Sequence, residues 1–426
     1  MRNLRIGIVG AGTGGLAAAA FLARNGHRVH LLERFAEARP VGAGLLLQPT
    51  GLACLALLGL DARARALGAV IHDLAGHTVG GRRVLAMDYR RLQPHLFGLG
   101  IHRASLFALL HHEVMRLEVP ITTGVEAVRV ERHARQRAVV IDRLGRHHGP
   151  FDLIVDASGM RSPLRQALGC RIRDRPFPYG AIWAALPITD DWPHRTSLMQ
   201  RYDGAAVMIG VLPIGRLPHD ATERCAFFWS VRVDQREAWL AAGLKAWKSR
   251  VVSLWPEVAP ILHGLRAPSD LSFVSYSDVV VERPYCAHLS LAVIGDGAHG
   301  TSPQLGQGAN LALIDALTLA AELERGDTLE AALGAFHDCR RRHVAFYQLA
   351  SRWLTPFFQS HSRALGLVRD VTFGLASQVP FAEGQMLRTL AGIKTGAFST
   401  LDPGDWSPRY QTRSRRLKTL PASSSS

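Results

Sequence analysis

The chain has 426 residues, more than one ordinary core requires, and its 47% hydrophobic and 20% charged composition is globular, not disordered. A formal net charge of +15 raises the question of nucleic acid. The arginines are scattered, however, lysine is confined to Lys245, Lys248, Lys394 and Lys418, and no aromatic-interleaved basic stripe accompanies them, so nucleic acid is set aside in favour of anionic small molecules such as dinucleotides.

Arg2 and Arg5, followed by an uncharged run to Ala23, imitate a signal peptide. Gly7, Gly10, Gly12, Gly14 and Gly15 argue against it, because glycine costs about 1 kcal/mol per helical position. The same run makes sense as a strand (4–9), a tight turn and a helix (Leu16 to Asn25) closed by Gly26. Arg28 to Leu32 returns as a second strand, completing a βαβ unit. Ala104 to Arg116 is expected to be helical, Val125–Glu131 to be a half-buried strand by its alternation, and Ala138–Ile141 with the turn near Gly145 to add a hairpin.

From about 176 to 285 the texture changes. Ala181–Leu186, Ala205–Leu212 and Ala226–Val233 are expected as strands of a mainly antiparallel sheet, with one helix over about 235–254. Residues 289–325 return to strand, glycine loop and helix. The rest to about 395 reads as helical, and the Ser423–Ser426 end as frayed. The expected class is α/β: a Rossmann-like dinucleotide domain interleaved with an antiparallel β-sheet substrate domain, plus C-terminal helices. The expected division is 1–175 for the first part of the dinucleotide domain, with about 70–100 extending toward the substrate side. The substrate sheet then takes 176–285, the second part of the dinucleotide domain 286–345, and a helical region with its tail 346–426. No stretch approaches a membrane span, so no integral membrane association is expected. Five dispersed cysteines suit a reducing cytoplasm, and the histidines show no metal-ligand spacing, so no metal site is expected.

Gly10-Ala11-Gly12-Thr-Gly14-Gly15 is a GxGxxG turn between the first strand and helix. Gly10 serves the turn, Gly12 the close approach of a pyrophosphate, and Gly15 the packing of helix on strand. Glu33, ending the next strand, is placed to accept the ribose hydroxyls of an adenosine, which favours FAD or NAD over NADP at this site. Arg34 beside it and Val125 are grouped with the same cofactor set.

Far downstream stands Leu289–Ile294, then Gly295-Asp296-Gly297-Ala298-His299, then Pro303-Gln304-Leu305-Gly306-Gln307-Gly308-Ala309-Asn310 before a helix. This segment resembles the GD motif and following loop of the class A FAD-dependent monooxygenases, the p-hydroxybenzoate hydroxylase family. The resemblance implies that Asp296 bonds the flavin ribitol. It also implies that the helix from about Gln307, with Gly306, Gly308 and Asn310 at its start, points its N-terminus at the isoalloxazine. Val41-Gly42-Ala43-Gly44 and Leu45-Leu-Leu-Gln-Pro fit the segment after the ribose-binding glutamate, and Arg103 resembles the family arginine that contacts FAD.

The function so implied is insertion of one atom of O2 into a small aromatic or conjugated substrate through a flavin 4a-hydroperoxide. NADPH or NADH would be a transient co-substrate, since no second nucleotide fingerprint is present. Trp183, Met199, Met208, Phe228 and Trp229 are candidate pocket walls. One departure stands in Asp156-Ala-Ser158-Gly159-Met-Arg161-Ser162-Pro-Leu-Arg165, where the family usually has Asp at the place of Ser158. That substitution keeps open a partner reductase, and a flavin-dependent halogenase or a non-oxygenating flavin reductase as alternatives. Arg161 and Arg165 read equally as phosphate contacts or surface charges, and His299 as a loop-shaping residue more than an acid/base.

Overall fold

A computed structural model describes residues 1–37, 42–133 and 137–401. Val41 and the Ser423–Ser426 end lie outside the described residues. Two large sheets organise the molecule. The first has six strands in the order Tyr285–Cys286, Leu291–Val293, Leu153–Asp156, Arg5–Val9, Arg28–Leu32, Ile121–Thr122. All but the outermost Tyr285–Cys286 pairing are parallel. Parallel strands must be buried on both faces, and Ile6, Ile8, Leu31, Leu153 and Val155 are accordingly inaccessible.

Helix α1 (Thr13–Arg24) covers this sheet and is buried from Gly15 to Leu22. Ala17, Ala18, Ala19 and Ala20 are all fully buried, since their small side chains let neighbouring elements approach closely. Helices α2 (Arg103–Arg116) and α3 (Gly308–Arg325) both pack against α1.

The second sheet has seven strands, in the order Ser272–Val281, Ile172–Pro187, Asp220–Arg232, Val207–Leu217, Ser197–Asp203, Asp73–Thr78, Arg83–Asp88. It is antiparallel except where Asp73–Thr78 runs parallel to Ser197–Asp203. The three strands expected from 176 to 233 are all present, longer than their apolar cores suggest. The two strands from 73 to 88 carry Gly76, His77 and Arg83, which weaken the alternation that would announce them.

One face of this sheet packs on the Arg236–Leu254 helix, through Ile182, Phe227, Trp229 and Val231 against Trp247 and Val251. The other face, with Met208, Leu212 and Phe228, turns toward the first sheet. Three further helices close that side: α4 (Leu329–Phe358), α5 (Arg363–Ala376) and α6 (Pro380–Leu390). Phe357 and Phe358 of α4 meet Phe373 of α5 at ring-centroid distances of 5.5 and 5.9 Å.

Candidate functional site

A cavity of about 790 Å³ runs between the two sheets. At one end it is lined by Gly12, Thr13 and Gly14 at the start of α1 and by Gly306, Gly308 and Ala309 at the start of α3. Neither helix has a side-chain N-cap, so two helix N-termini with first-turn amides available face the same space. A Cβ built on Gly12 meets nothing within 4 Å, whereas one on Gly15 would lie 1.9 Å from the Gly10 carbonyl oxygen. Gly12 thus leaves room for a bound group and Gly15 brings helix and strand together, the shape that a dinucleotide pyrophosphate requires.

Asp296 lines the cavity beside α3, its Oδ1 3.4 Å from where a Cβ on Gly308 would stand. Arg103, the first residue of α2, lines it from the opposite loop, against Gly42. Glu33 is buried under the glycine loop. Its Oε2 accepts from the Ala11 amide at 2.7 Å and its Oε1 from the Phe35 amide at 3.0 Å, which leaves each oxygen a further lone pair.

Glu33 does not itself line the cavity, and other members of the cofactor set present no side chain to it either. Arg34 is exposed and lies over the Phe35 ring, and Val125 is core. Asn310 is fully buried and clasps two loops: its Oδ1 accepts from the Gln48 amide at 2.9 Å, and its Nδ2 donates to the Gly306 carbonyl at 2.9 Å.

The far end is apolar. Leu74, Met87, Leu198, Met208, Leu212 and Phe228 come from the seven-stranded sheet. Phe346, Ala350, Leu354 and Phe358, spaced four apart on α4, supply the other wall with residues of α5 and α6. Of the expected wall residues, Trp183, Met208 and Phe228 line the cavity, while Met199 and Trp229 pack in the cluster under the Arg236–Leu254 helix. Successive strand residues face opposite sides, so Phe228 and its neighbour Trp229 could not share a face.

Among the described residues the only charged side chains in the lining are Arg103 and Asp296, at the glycine-loop end. The rest of the polarity is neutral. Gln48 Oε1 accepts from the Tyr89 hydroxyl at 2.5 Å, so its Nε2 is turned elsewhere and has no partner among the described residues. Both amide atoms of the buried Gln359 are likewise without a partner among the described residues. Tyr276 Oη accepts from Trp183 Nε1 at 3.1 Å. Burial pushes the Tyr276 phenol up to about 12, so it remains a neutral hydroxyl able to donate.

Behind the Gly295 loop lies a buried polar network that sequence spacing did not announce. Asp315 Oδ2 accepts from the Gly295 amide at 2.9 Å and His299 Nε2 at 2.5 Å, while its Oδ1 takes Arg340 Nε at 2.7 Å. Burial alone would raise the Asp315 carboxyl, but His299 and Arg340 hold it well below the usual carboxylate range. His299 is therefore a loop-shaping residue, 4% exposed and tied to Asp315.

Arg340 Nη1 donates to His343 Nδ1 at 2.5 Å, which leaves His343 Nε2 to donate to the Gly392 carbonyl at 2.8 Å. That pattern suits a neutral imidazole, and burial together with the Arg340 charge lowers His343 to about 3. In the unfolded chain His343 takes a proton near its ordinary value of 6.5. The unfolded state thus binds more protons between about 6.5 and 3, and stability is lost as pH falls through that window. The melting temperature of the protein should drop between pH 7 and 4, and His343→Gln should flatten the drop. An unchanged slope in the variant would refute the assignment.

The Asp156 loop resolves two further expectations. Arg165 is neither a phosphate contact nor a surface charge. It is 5% exposed, donates to the Met160 carbonyl at 2.6 Å and pairs with Asp174. Arg161 is exposed. The Ser158 hydroxyl donates to Asp156 Oδ1 at 2.6 Å, so Ser158 serves the loop's own turn.

Fold and cavity together define a flavin-dependent oxidoreductase: a parallel sheet with a glycine loop, a second glycine loop ending at a helix start, and an apolar chamber between that site and an antiparallel sheet. Residues 3–347 match the family model described as FAD binding domain, and the chain belongs to that family. It is an FAD-dependent monooxygenase. It is 27% identical to an FAD-dependent urate hydroxylase of Mycolicibacterium vanbaalenii, over 82% of this chain and 87% of that one. It is 26% identical to a 2-heptyl-3-hydroxy-4(1H)-quinolone synthase of Mycobacteroides abscessus, over 81% and 88%. Among solved structures, Klebsiella pneumoniae HpxO complexed with FAD and uric acid superposes with a TM-score of 0.76 at 21% identity, covering 92% of this chain and 98% of that one. That likeness speaks to the fold.

Proposed function

We propose that the protein inserts one oxygen atom of O2 into an uncharged, largely apolar aromatic ring that carries a carbonyl or hydroxyl oxygen. The carrying observation is the distribution of polarity in the cavity: charge at the glycine-loop end, and hydrocarbon with neutral amides elsewhere. A carboxylate substrate would be stripped of water at the apolar end without a cation to receive it, at a cost of several kcal/mol (order of magnitude). A neutral ring fits, with Tyr276 and the Gln48 amide as donors to its oxygen. Leaving such amides unpartnered costs about 1–3 kcal/mol each, so a ligand group facing Gln48 and Gln359 is favoured. Of the compounds named for the two relatives, the alkylated quinolone that one makes suits this wall better than the urate that the other hydroxylates.

FAD supplies the activation of oxygen. In this reading Gly12, Gly14 and the start of α1 take its pyrophosphate, Glu33 its adenosine ribose, Asp296 its ribitol and Arg103 a phosphate. Gly306, Gly308 and the start of α3 take the flavin ring. A charge-assisted bond is worth about 1.5–3 kcal/mol, so Asp296→Ala and Glu33→Ala should each weaken FAD binding roughly 10- to 150-fold. Fluorescence titration of the apoprotein measures this, and unchanged affinity removes the residue from the site.

NADH or NADPH would dock transiently, since Ser158 is occupied with Asp156 and nothing about it demands an outside reductase. Anaerobic stopped-flow mixing with each nucleotide should bleach the flavin, faster with substrate present. Negligible bleaching by both, with turnover restored by chemically reduced flavin, would point to a partner reductase. Substrate class is tested by turnover of matched neutral bicyclic aromatics and aromatic carboxylates under labelled oxygen. One labelled atom in a neutral product is expected, and turnover confined to carboxylates overturns the reading.

A further inference from the structure

Of the fifteen exposed large hydrophobic side chains on the described residues, nine lie between 349 and 398. They sit largely on the helices that wall the apolar end of the cavity. Leu349 and Trp353 stand four apart on α4, Leu367, Val371 and Leu375 four apart on α5, and Phe381 begins α6. Trp353 is 71% exposed, Leu367 66% and Phe381 65%. Helices of a water-soluble protein normally turn such stripes inward. Here α5 already turns the half-buried Phe373 and Ala376 to the cavity, yet it carries a second apolar stripe outside.

From the middle of α4 onward the exposed charges have one sign, the exposed acids of α4, Glu330 and Asp338, lying toward its start. Between residues 342 and 401 the acids are Asp370 and Glu383 alone. Asp370 is paired with Arg369, and Glu383 is buried against Arg91. Arg342 and Arg363 are exposed, and Arg388 is half-exposed. Aromatic and aliphatic side chains flanked by arginines, without exposed carboxylates, are the composition of a helix that lies in a lipid headgroup layer. A second copy would bring like charge against like charge, and the chain as a whole carries a formal +15. No described helix is long and apolar enough to cross a membrane, so the contact would be interfacial.

We propose that the outer face of α4–α6 docks on an anionic phospholipid bilayer, holding the apolar end of the cavity against the lipid. Apolar side chains enter the headgroup boundary and the arginines meet lipid phosphates. An apolar substrate, on the reading above, would then reach the cavity from the bilayer.

Flotation of the full FAD-loaded chain with vesicles tests the docking without substrate, so its failure is distinct from failure of the substrate reading. Binding is expected with phosphatidylcholine vesicles containing about a third phosphatidylglycerol, not with phosphatidylcholine alone, and it should weaken as salt rises. Leu367→Glu with Leu375→Glu touches no cavity residue. It should lower the bound fraction about tenfold or more while FAD content and melting temperature stay unchanged. Arg363→Glu should weaken binding by a smaller factor. Absence of binding to anionic vesicles, equal binding to neutral ones, or undiminished binding by the double glutamate variant overturns the proposal. So does a dimer seen by light scattering that the double variant dissolves while vesicle binding is absent.

Discussion

Gly15→Ala is expected to yield protein that retains no FAD and melts well below the parent, whereas Gly12→Ala should fold normally and lose FAD alone. The two glycines stand three residues apart in one loop, and their surroundings are opposite. A methyl on Gly15 would sit 1.9 Å from the Gly10 carbonyl oxygen, a backbone atom that cannot rotate away. Gly10 itself has φ of +101°, and a Cβ there would meet the Ala157 carbonyl at 2.7 Å, so this turn has no slack to give. Overpacking of this kind costs about 1–3 kcal/mol, occasionally more, and here the displacement would fall on the start of α1. At Gly12 a Cβ meets nothing, and φ of −77° accepts alanine without strain. The added methyl would instead take the space through which a pyrophosphate approaches the helix amides. Thermal unfolding of the apoproteins and FAD titration separate the two effects. A Gly12→Ala protein with parental FAD affinity would place the pyrophosphate elsewhere.

Asp315→Ala should be the costliest single change outside the glycine loop. Asp315 is 1% exposed, and it neutralises Arg340 while holding the Gly295 amide and His299. Removing it strands a guanidinium that is itself 4% exposed. Breaking a buried pair from one side costs about 3–5 kcal/mol, a large share of a typical domain's stability. The loss should reach the cofactor as well, because Gly295 precedes Asp296. Asp315→Asn keeps the shape and removes the charge, so it should fall between parent and alanine variant. Because the folded-state carboxyl is held below its unfolded value, its stabilisation is present at neutral pH and lost only as pH falls into the strongly acid range. Denaturant unfolding of the three proteins at pH 7 measures the series, and a cost below about 1 kcal/mol for alanine, the size of an exposed pair, would refute the account.

Much of the architecture was legible because it rests on local rules. The Arg28–Leu32 strand, the Arg103–Arg116 helix and the strand-loop-helix of 289–325 carry their own patterns of apolar runs, glycine turns and helix starts. The GxGxxG loop and the GD segment are local too, since each places its glycines on one short stretch of backbone.

What the local patterns could not carry is which surfaces meet. The stripe Phe346, Ala350, Leu354 and Phe358 is visible as a helical repeat, but only folding brings it opposite Met208 and Phe228 across a cavity. The choice of Phe228 over Trp229 as wall depended on which face of the sheet the Arg236–Leu254 helix covers, and alternation alone cannot say which side is which. Arg340 and His343 are three apart on α4, but nothing in the sequence joins them to Asp315 on α3. Burial makes the pairing obligatory, since a charge removed from water must find its partner within hydrogen-bond reach.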